Sequence, residues 1–222
     1  MRTFAIVPVK RFDRSKSRLG TILSSSERRK LCELLLVNTI RTLEQSSTIW
    51  RIIIVTSESS AVEIVGRTRA EFLKLDNDYG VNAALPLADK YSSQRGADAT
   101  LVIPQDIPLL SATDINNLCS RAEQFARCIV ICPSIRYDGT NALLRKPPKV
   151  MKTFYDEDSF NSHIRAAVKI NVPISFFLSE RMMKDLDSAE DIQILMKEQV
   201  LNLPLAYLKS KLEDRSSNSR FD

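Results

Sequence analysis

Ala99-Thr100-Leu101-Val102-Ile103-Pro104-Gln105-Asp106-Ile107-Pro108-Leu109-Leu110 is the stretch on which the fold turns. Thr100 to Ile103 is β-branched or apolar and carries no charge, the pattern of a short buried strand. Pro104 ends it. Asp106 then falls just past the carboxyl end of that strand, between two prolines. Ligands of open α/β sheets bind outside the carboxyl ends of the strands, so an acidic residue fixed there is placed to hold a divalent cation. A simple turn or cap aspartate is the alternative, because Asp is common in loops.

Outward from this strand, apolar runs alternate with helix starts. Phe4 to Val9, Ile49 to Val55 and Ile129 to Cys132 read as strands, with shorter ones at Glu71 to Leu75, Asn141 to Leu144 and Ile174 to Leu178. Ser24-Ser25-Ser26-Glu27 has the capping-box pattern and opens a helix to about Glu44. Further helices are expected after Ser59 or Ser60, from Gly80 onward, from Ser111 to about Phe125, over Ser159 to Lys169, and from Ser188 to about Lys197. Pro86 fits poorly inside the helix that begins at Gly80. The alternation predicts an α/β fold with a mostly parallel central sheet flanked by helices. With 222 residues, we expect one domain over residues 1–200. Residues 201–222 read as a C-terminal extension, helical to about Leu212 and then polar and frayed.

The composition, 44% hydrophobic and 27% charged, suits a folded core with a solvated surface. No apolar run approaches the ~20 residues of a membrane span, and Phe4-Ala5-Ile6-Val7 is too short for a secretory signal, so a cytoplasmic location is expected. Cys128 and Cys132 would stand ~13 Å apart in a strand, too far for a disulfide or a shared metal. With His163 the only histidine, a zinc site of the usual kind is not expected, and the four cysteines read as buried thiols. The net charge of +5 suggests an anionic partner: a nucleotide, a phosphometabolite or nucleic acid.

Four further segments carry chemistry. Lys10, Arg11, Arg14, Lys16 and Arg18 follow the first strand, where a phosphate loop would lie. The segment has no glycines, so side-chain cations would have to hold phosphates; a solvated charge run is the alternative. Asp185 and Asp187 are two apart and share a side in an extended segment, which suits one hard cation; equally, Asp187 could serve as a helix cap. Asp138-Gly139 is a turn that would present Thr140 and Asn141 at a sheet edge. Ser159 opens a helix, whose free N–H groups can bind phosphate.

In this order and spacing the segments resemble one family. Ile6-Val7-Pro8-Val9-Lys10, with Ser15-Lys16-Ser17-Arg18-Leu19, looks like its opening VPVK…AKSRL. Gly80-Val81-Asn82-Ala83-Ala84-Leu85 resembles LNAAL, and Pro104 to Leu110 resembles xxDLPLL. Asp138-Gly139-Thr140-Asn141-Ala142-Leu143 resembles GGTNAL, and Ser159-Phe160 with His163 resembles FGPGSFxxH. Asp185 to Asp191 resembles DIDTPEDL. The family is the 2-phospho-L-lactate guanylyltransferases, which act in biosynthesis of the deazaflavin coenzyme F-420. The likeness covers about residues 4 to 195 and leaves the tail after Lys197 without a counterpart.

The resemblance implies a nucleotidyltransferase-type Rossmann-like fold, GTP as donor, Mg²⁺ as cofactor, and 2-phospho-L-lactate or phosphoenolpyruvate as acceptor; the family suggests a homodimer. Asp106, Asp185 and Asp187 match its magnesium ligands. Lys10, Lys16, Arg18, Gly80 and Asn82 match its nucleotide side, and Thr140 and Ser159 its acceptor side. Asp106 and Lys16 are expected to carry the chemistry. Asp138, Asp156 and Asp158 stand where the family has glycines, which predicts an acceptor pocket altered in shape or charge. The competing readings are a sister nucleotidyltransferase with another acceptor or base, and a basic nucleic-acid-binding domain. The second is disfavoured by 7% aromatic residues not interleaved with the basic cluster.

Overall fold

β1 (Thr3–Val9) is an interior strand of the fold and is buried along its whole length. Its side chains alternate between two layers, as strand geometry requires. Ala5, Val7 and Val9 pack on one side with Leu36, Ile40 and Leu43 of α1 (Ser25–Gln45). Phe4 and Ile6 pack on the other with Ala84, Leu85 and Ala88 of α3 (Val81–Gln94). A strand covered on both faces reads as an unbroken apolar run, which is why β1 and its neighbours were visible in the sequence. The computed structural model describes residues 1–200 and 202–218.

The remaining strands are β2 (Ile49–Thr56), β3 (Ala70–Lys74), β4 (Ala99–Val102), β5 (Cys128–Pro133), β6 (Thr140–Lys146) and β7 (Ile174–Phe176). They form one seven-stranded sheet in the order β3-β2-β1-β4-β6-β5-β7. β1 is parallel to β2 and β4, β2 to β3, and β5 to β7. Only β6 runs antiparallel to its neighbours β4 and β5, because the Asp138-Gly139 turn joins β5 to β6 by a connection too short for a parallel crossover. The fold is α/β with a mostly parallel sheet flanked by helices, as expected.

The other helices are α2 (Ala61–Val65), α4 (Ala112–Ser120), α5 (Ser159–Lys169), α6 (Ala189–Leu195) and α7 (Leu203–Asn218). α1 opens on the predicted Ser24/Glu27 capping box and α6 on a second one from Ser188 and Asp191. α3 runs through Pro86, the cost being one missing donor to the Asn82 carbonyl. α4 stops at Ser120 rather than near Phe125, and residues 121–124 form turns.

The tail departs most from expectation. α7 runs past Leu212 into the polar stretch, and residues 219–222, also expected to fray, lie outside the described residues together with Leu201. Leu205 and Leu208 are buried against Leu31 and Leu35 of α1. The same apolar cluster takes in Leu19, Leu109 and Leu186, each within three residues of a predicted site residue.

Candidate active site

The segments of the candidate site gather at one end of the sheet. After β1 the chain makes two short 3-10 turns, Phe12–Arg14 and Ser17–Leu19. Phe12 and Leu19 are buried and pin this segment, and Lys16 between the turns takes a left-handed conformation with φ 56°. The loop after β4 is tied to α1 through Asn38 Nδ2 to the Pro108 carbonyl, 3.1 Å, and the Thr39 hydroxyl to the Gln105 carbonyl, 3.2 Å. Asn202, just before α7, donates to the same Pro108 carbonyl at 2.6 Å. The Asp185–Asp187 segment is joined to it by the Leu186 N–H donating to the Asp106 carbonyl, 2.9 Å. Leu186 points into the core while the aspartates on either side face the cleft, the alternation that an extended segment predicts.

These segments enclose a cleft of about 410 Å³ lined by Lys10, Lys16, Arg18, Asp106, Thr140, Ser159, Asp185 and Asp187, among others. Of the predicted site residues, Gly80 and Asn82 stand apart. Gly80, at φ 85°, precedes α3 and borders a small adjoining recess with Pro8 and Lys10. The Asn82 amide bridges the Tyr155 N–H, 2.8 Å, and the Asp156 carboxylate, 2.9 Å.

Lys16 is the electrostatic centre. Its ammonium donates to Asp106 Oδ2 at 2.9 Å and to Asp187 Oδ1 at 2.6 Å, and its side chain is only 6% exposed. Burial works against the charge, but Asp106 and Asp187 outweigh it and raise the Lys16 pKa. Burial likewise opposes the charge on Asp187, and Lys16 overcomes it, holding that carboxyl below its ordinary range. Asp187 is therefore no helix cap; Ser188 and Asp191 do that work. Asp185 lacks a cationic partner: burial and the charges of Asp106 and Asp187 push it up to about 6. It is held by Asn141 Nδ2, which donates to Asp185 Oδ1 at 3.2 Å and to the Met182 carbonyl at 3.0 Å.

Among the described residues, no three metal-ligating side chains of His, Cys, Asp or Glu are gathered as they stand. The chemistry of the donor set nevertheless fits a hard divalent cation. Three carboxylates face one cleft, two are already bridged by a positive charge, and the third is disfavoured as an anion by its neighbours.

At the other end of the cleft, Ser159 Oγ donates to Thr140 Oγ1 at 3.2 Å, and Thr140 Oγ1 lies 3.0 Å from His163 Nδ1. None of the three aspartates at family glycine positions borders the cleft. Asp138 accepts from the Ser134 hydroxyl, Asp156 from Asn82, and Asp158 from Asn161 and Arg165. Asp158 sits at φ 54°, a region that Asp tolerates better than most residues with a side chain.

Sequence reasoning placed Asn141 at a sheet edge without giving it a ligand and gave Gln105 and Tyr155 no site role. An amide at the start of an apolar strand was the signal for Asn141. The Gln105 Oε1 and the Tyr155 hydroxyl are buried without a protein partner in residues bordering the cleft, something local sequence does not reveal. The four cysteines are buried and unpaired, as expected. His163 is engaged by Thr140 and Phe154, so no Cys-His pair forms.

Comparison with known proteins places the chain. A phosphoenolpyruvate guanylyltransferase of Rubrobacter xylanophilus is 32% identical over 192 residues, covering 86% of this chain and 92% of the relative. A 2-phospho-L-lactate guanylyltransferase of Methanothermobacter thermautotrophicus is 29% identical over 192 residues, covering 86% and 83%. A solved nucleotidyl transferase from the same organism superposes with a TM-score of 0.68 at 13% identity, covering 94% of this chain and 99% of that one; it supports the fold. The family described as "Guanylyl transferase CofC like" matches residues 3–212, so the tail as far as Leu212 has the counterpart that the motifs alone did not supply. With that match spanning the sheet, the cleft loops and most of α7, the chain belongs to the CofC-like guanylyl transferase family.

Proposed function

We propose that the cleft joins GTP to a phosphorylated three-carbon acid, phosphoenolpyruvate or 2-phospho-L-lactate, and releases pyrophosphate. The observation that carries this is the meeting of Lys16 with Asp106 and Asp187 at one end of a cleft whose other end presents Thr140 and Ser159. The names of the relatives support the donor base and the choice of acceptors; a place in making the deazaflavin coenzyme F-420 is what the family implies.

In this reading an acceptor phosphate oxygen forms a bond to the α-phosphorus of GTP. The bond from that phosphorus to the α–β bridging oxygen breaks, and pyrophosphate leaves with the bonding electrons. The attacking oxygen is already an anion, so neither a covalent nucleophile nor a strong base is required. The obstacle is bringing two polyanions together, and cationic side chains lower it by position and charge. Lys10, Lys16 and Arg18 face the triphosphate, with Lys16 able to exchange carboxylate for phosphate partners. Thr140 and Ser159 orient the acceptor. Asp106, Asp185 and Asp187 would hold a divalent cation, Mg²⁺ in the family reading; bound there, it supplies charge neutralisation and alignment of the phosphates.

The cytoplasmic location, the homodimer and a catalytic domain over residues 1–200 belong to the same proposal. The single sheet supports that domain; the burial of Leu205 and Leu208 argues that the tail is part of its core.

Asp106→Asn tests the site. It lies at a strand end and not in the core, so the unfolding midpoint should stay within a few degrees of wild type while turnover falls at least ~100-fold, the scale of losing an electrostatic catalytic group. Near-wild-type turnover would overturn the assignment.

A further inference from the structure

His163 is completely buried beneath the acceptor end of the cleft. Its two ring nitrogens face different partners. The Phe154 N–H donates to Nε2 at 2.8 Å, so Nε2 must carry the lone pair. The neutral ring therefore has its proton on Nδ1. Burial, with Arg145 nearby, pulls the His163 pKa down to about 4, which keeps the ring neutral in ordinary buffers. Nδ1 lies 3.0 Å from the Thr140 hydroxyl, and in that contact it is the donor.

This fixes the hydroxyls above it. Thr140 Oγ1 accepts from His163 Nδ1–H and from the Ser159 hydroxyl. It cannot give its own hydrogen to Nδ1, which already bears one. Among the described residues the Thr140 hydrogen has no acceptor in this arrangement, and Thr140 borders the cleft. If the ring were protonated on Nε2 instead, Nδ1 would take the Thr140 hydrogen and leave an oxygen lone pair facing the ligand. The Phe154 amide prevents that tautomer.

We propose that His163 is a positioning residue for substrate selection: locked by the Phe154 amide, it makes Thr140 a hydrogen-bond donor aimed at the carboxylate of the acceptor acid. The inference rests on the function proposed above. There the acceptor's phosphate is the reacting group and belongs with the cations at the Lys16 end, so the anion left for Thr140 is the carboxylate. A site built to donate rejects an analogue that cannot accept.

Because the chain has one histidine, ¹⁵N NMR of the untagged protein reads this ring without ambiguity. The expected spectrum shows the proton on Nδ1 and no titration down to pH 5; a proton on Nε2 would overturn the proposal. Steady-state kinetics supply the functional test. His163→Gln keeps an oxygen for the Phe154 amide but loses the donor to Thr140, and should raise the acceptor KM about tenfold with the GTP KM within twofold. His163→Asn restores a donor near the Nδ1 position and should bring the acceptor KM back to within about threefold of wild type. Thr140→Val should match or exceed the effect of His163→Gln, and adding His163→Gln to it should change the acceptor KM no further. Equal effects of the Gln and Asn variants, or an unchanged acceptor KM in Thr140→Val, would overturn the proposal. Wild-type protein that transfers no guanylyl group to any acceptor would instead overturn the underlying function.

Discussion

Lys16 owes its place to the backbone more than to its neighbours in sequence. It is one of five cations in nine residues, and nothing local says which of them turns inward. The left-handed turn between the buried anchors Phe12 and Leu19 makes that choice. By contrast, Asp106, Asp185 and Asp187 were legible, because a strand end followed by prolines and a two-residue spacing each have a geometric meaning. His163 was legible only as part of a motif; its role depends on an amide nine residues earlier in the chain and on β6. It also gives a pH signature. Its folded pKa of about 4 lies below the ordinary value near 6.5, so between those values the unfolded chain binds the extra proton. Its contribution is fully present above pH 6.5 and is lost as pH falls toward 4. From pH 7 to pH 5 it should cost roughly 2 kcal/mol of stability. Urea unfolding of wild type and His163→Gln at both pH values checks this: the variant should lose correspondingly less, and parallel losses would contradict it.

β6 carries the clearest case of information that no local pattern holds. Its Arg145 is buried, 1% exposed, and forms a two-pronged pair with Asp89 of α3 at 2.8 and 2.6 Å. It also reaches the Thr100 hydroxyl at 3.3 Å. The pair links α3 to β6 and β4 from beneath the sheet, yet in the sequence it is an arginine ending an apolar run and an aspartate in a helix 56 residues earlier. Removing one partner strands a buried charge. Arg145→Met should therefore destabilise by about 3–5 kcal/mol, while Asp89→Leu with Arg145→Met should recover most of that. Denaturant unfolding of both variants decides it, and a mild effect of the single change would mean that the pair is not buried as described. The alternation of elements, the capping boxes and the Asp138-Gly139 turn were readable because each is set by residues close in sequence. The antiparallel insertion of β6 was the consequence of that turn.

Across the chain, one apolar layer underlies the cleft loops. Leu19, Leu109 and Leu186 flank Lys16 and Arg18, Asp106, and Asp185 with Asp187, and all three share a cluster with α1 and α7. The tail read as an extension is thus a floor beneath the cleft. Deleting residues 201–222 removes Leu205, Leu208 and the Asn202 tie to Pro108. Losing the two leucines alone should lower stability by about 3–6 kcal/mol, seen as a lower thermal midpoint with reduced turnover; an unchanged midpoint would contradict that role. The most direct test of the account is the reaction. Purified protein with Mg²⁺ is given each of GTP, ATP, CTP and UTP with phosphoenolpyruvate, 2-phospho-L-lactate or 3-phosphoglycerate, and pyrophosphate release is followed. The account predicts release that is fastest with GTP and that requires phosphoenolpyruvate or 2-phospho-L-lactate. No release with any pair from folded protein would contradict it.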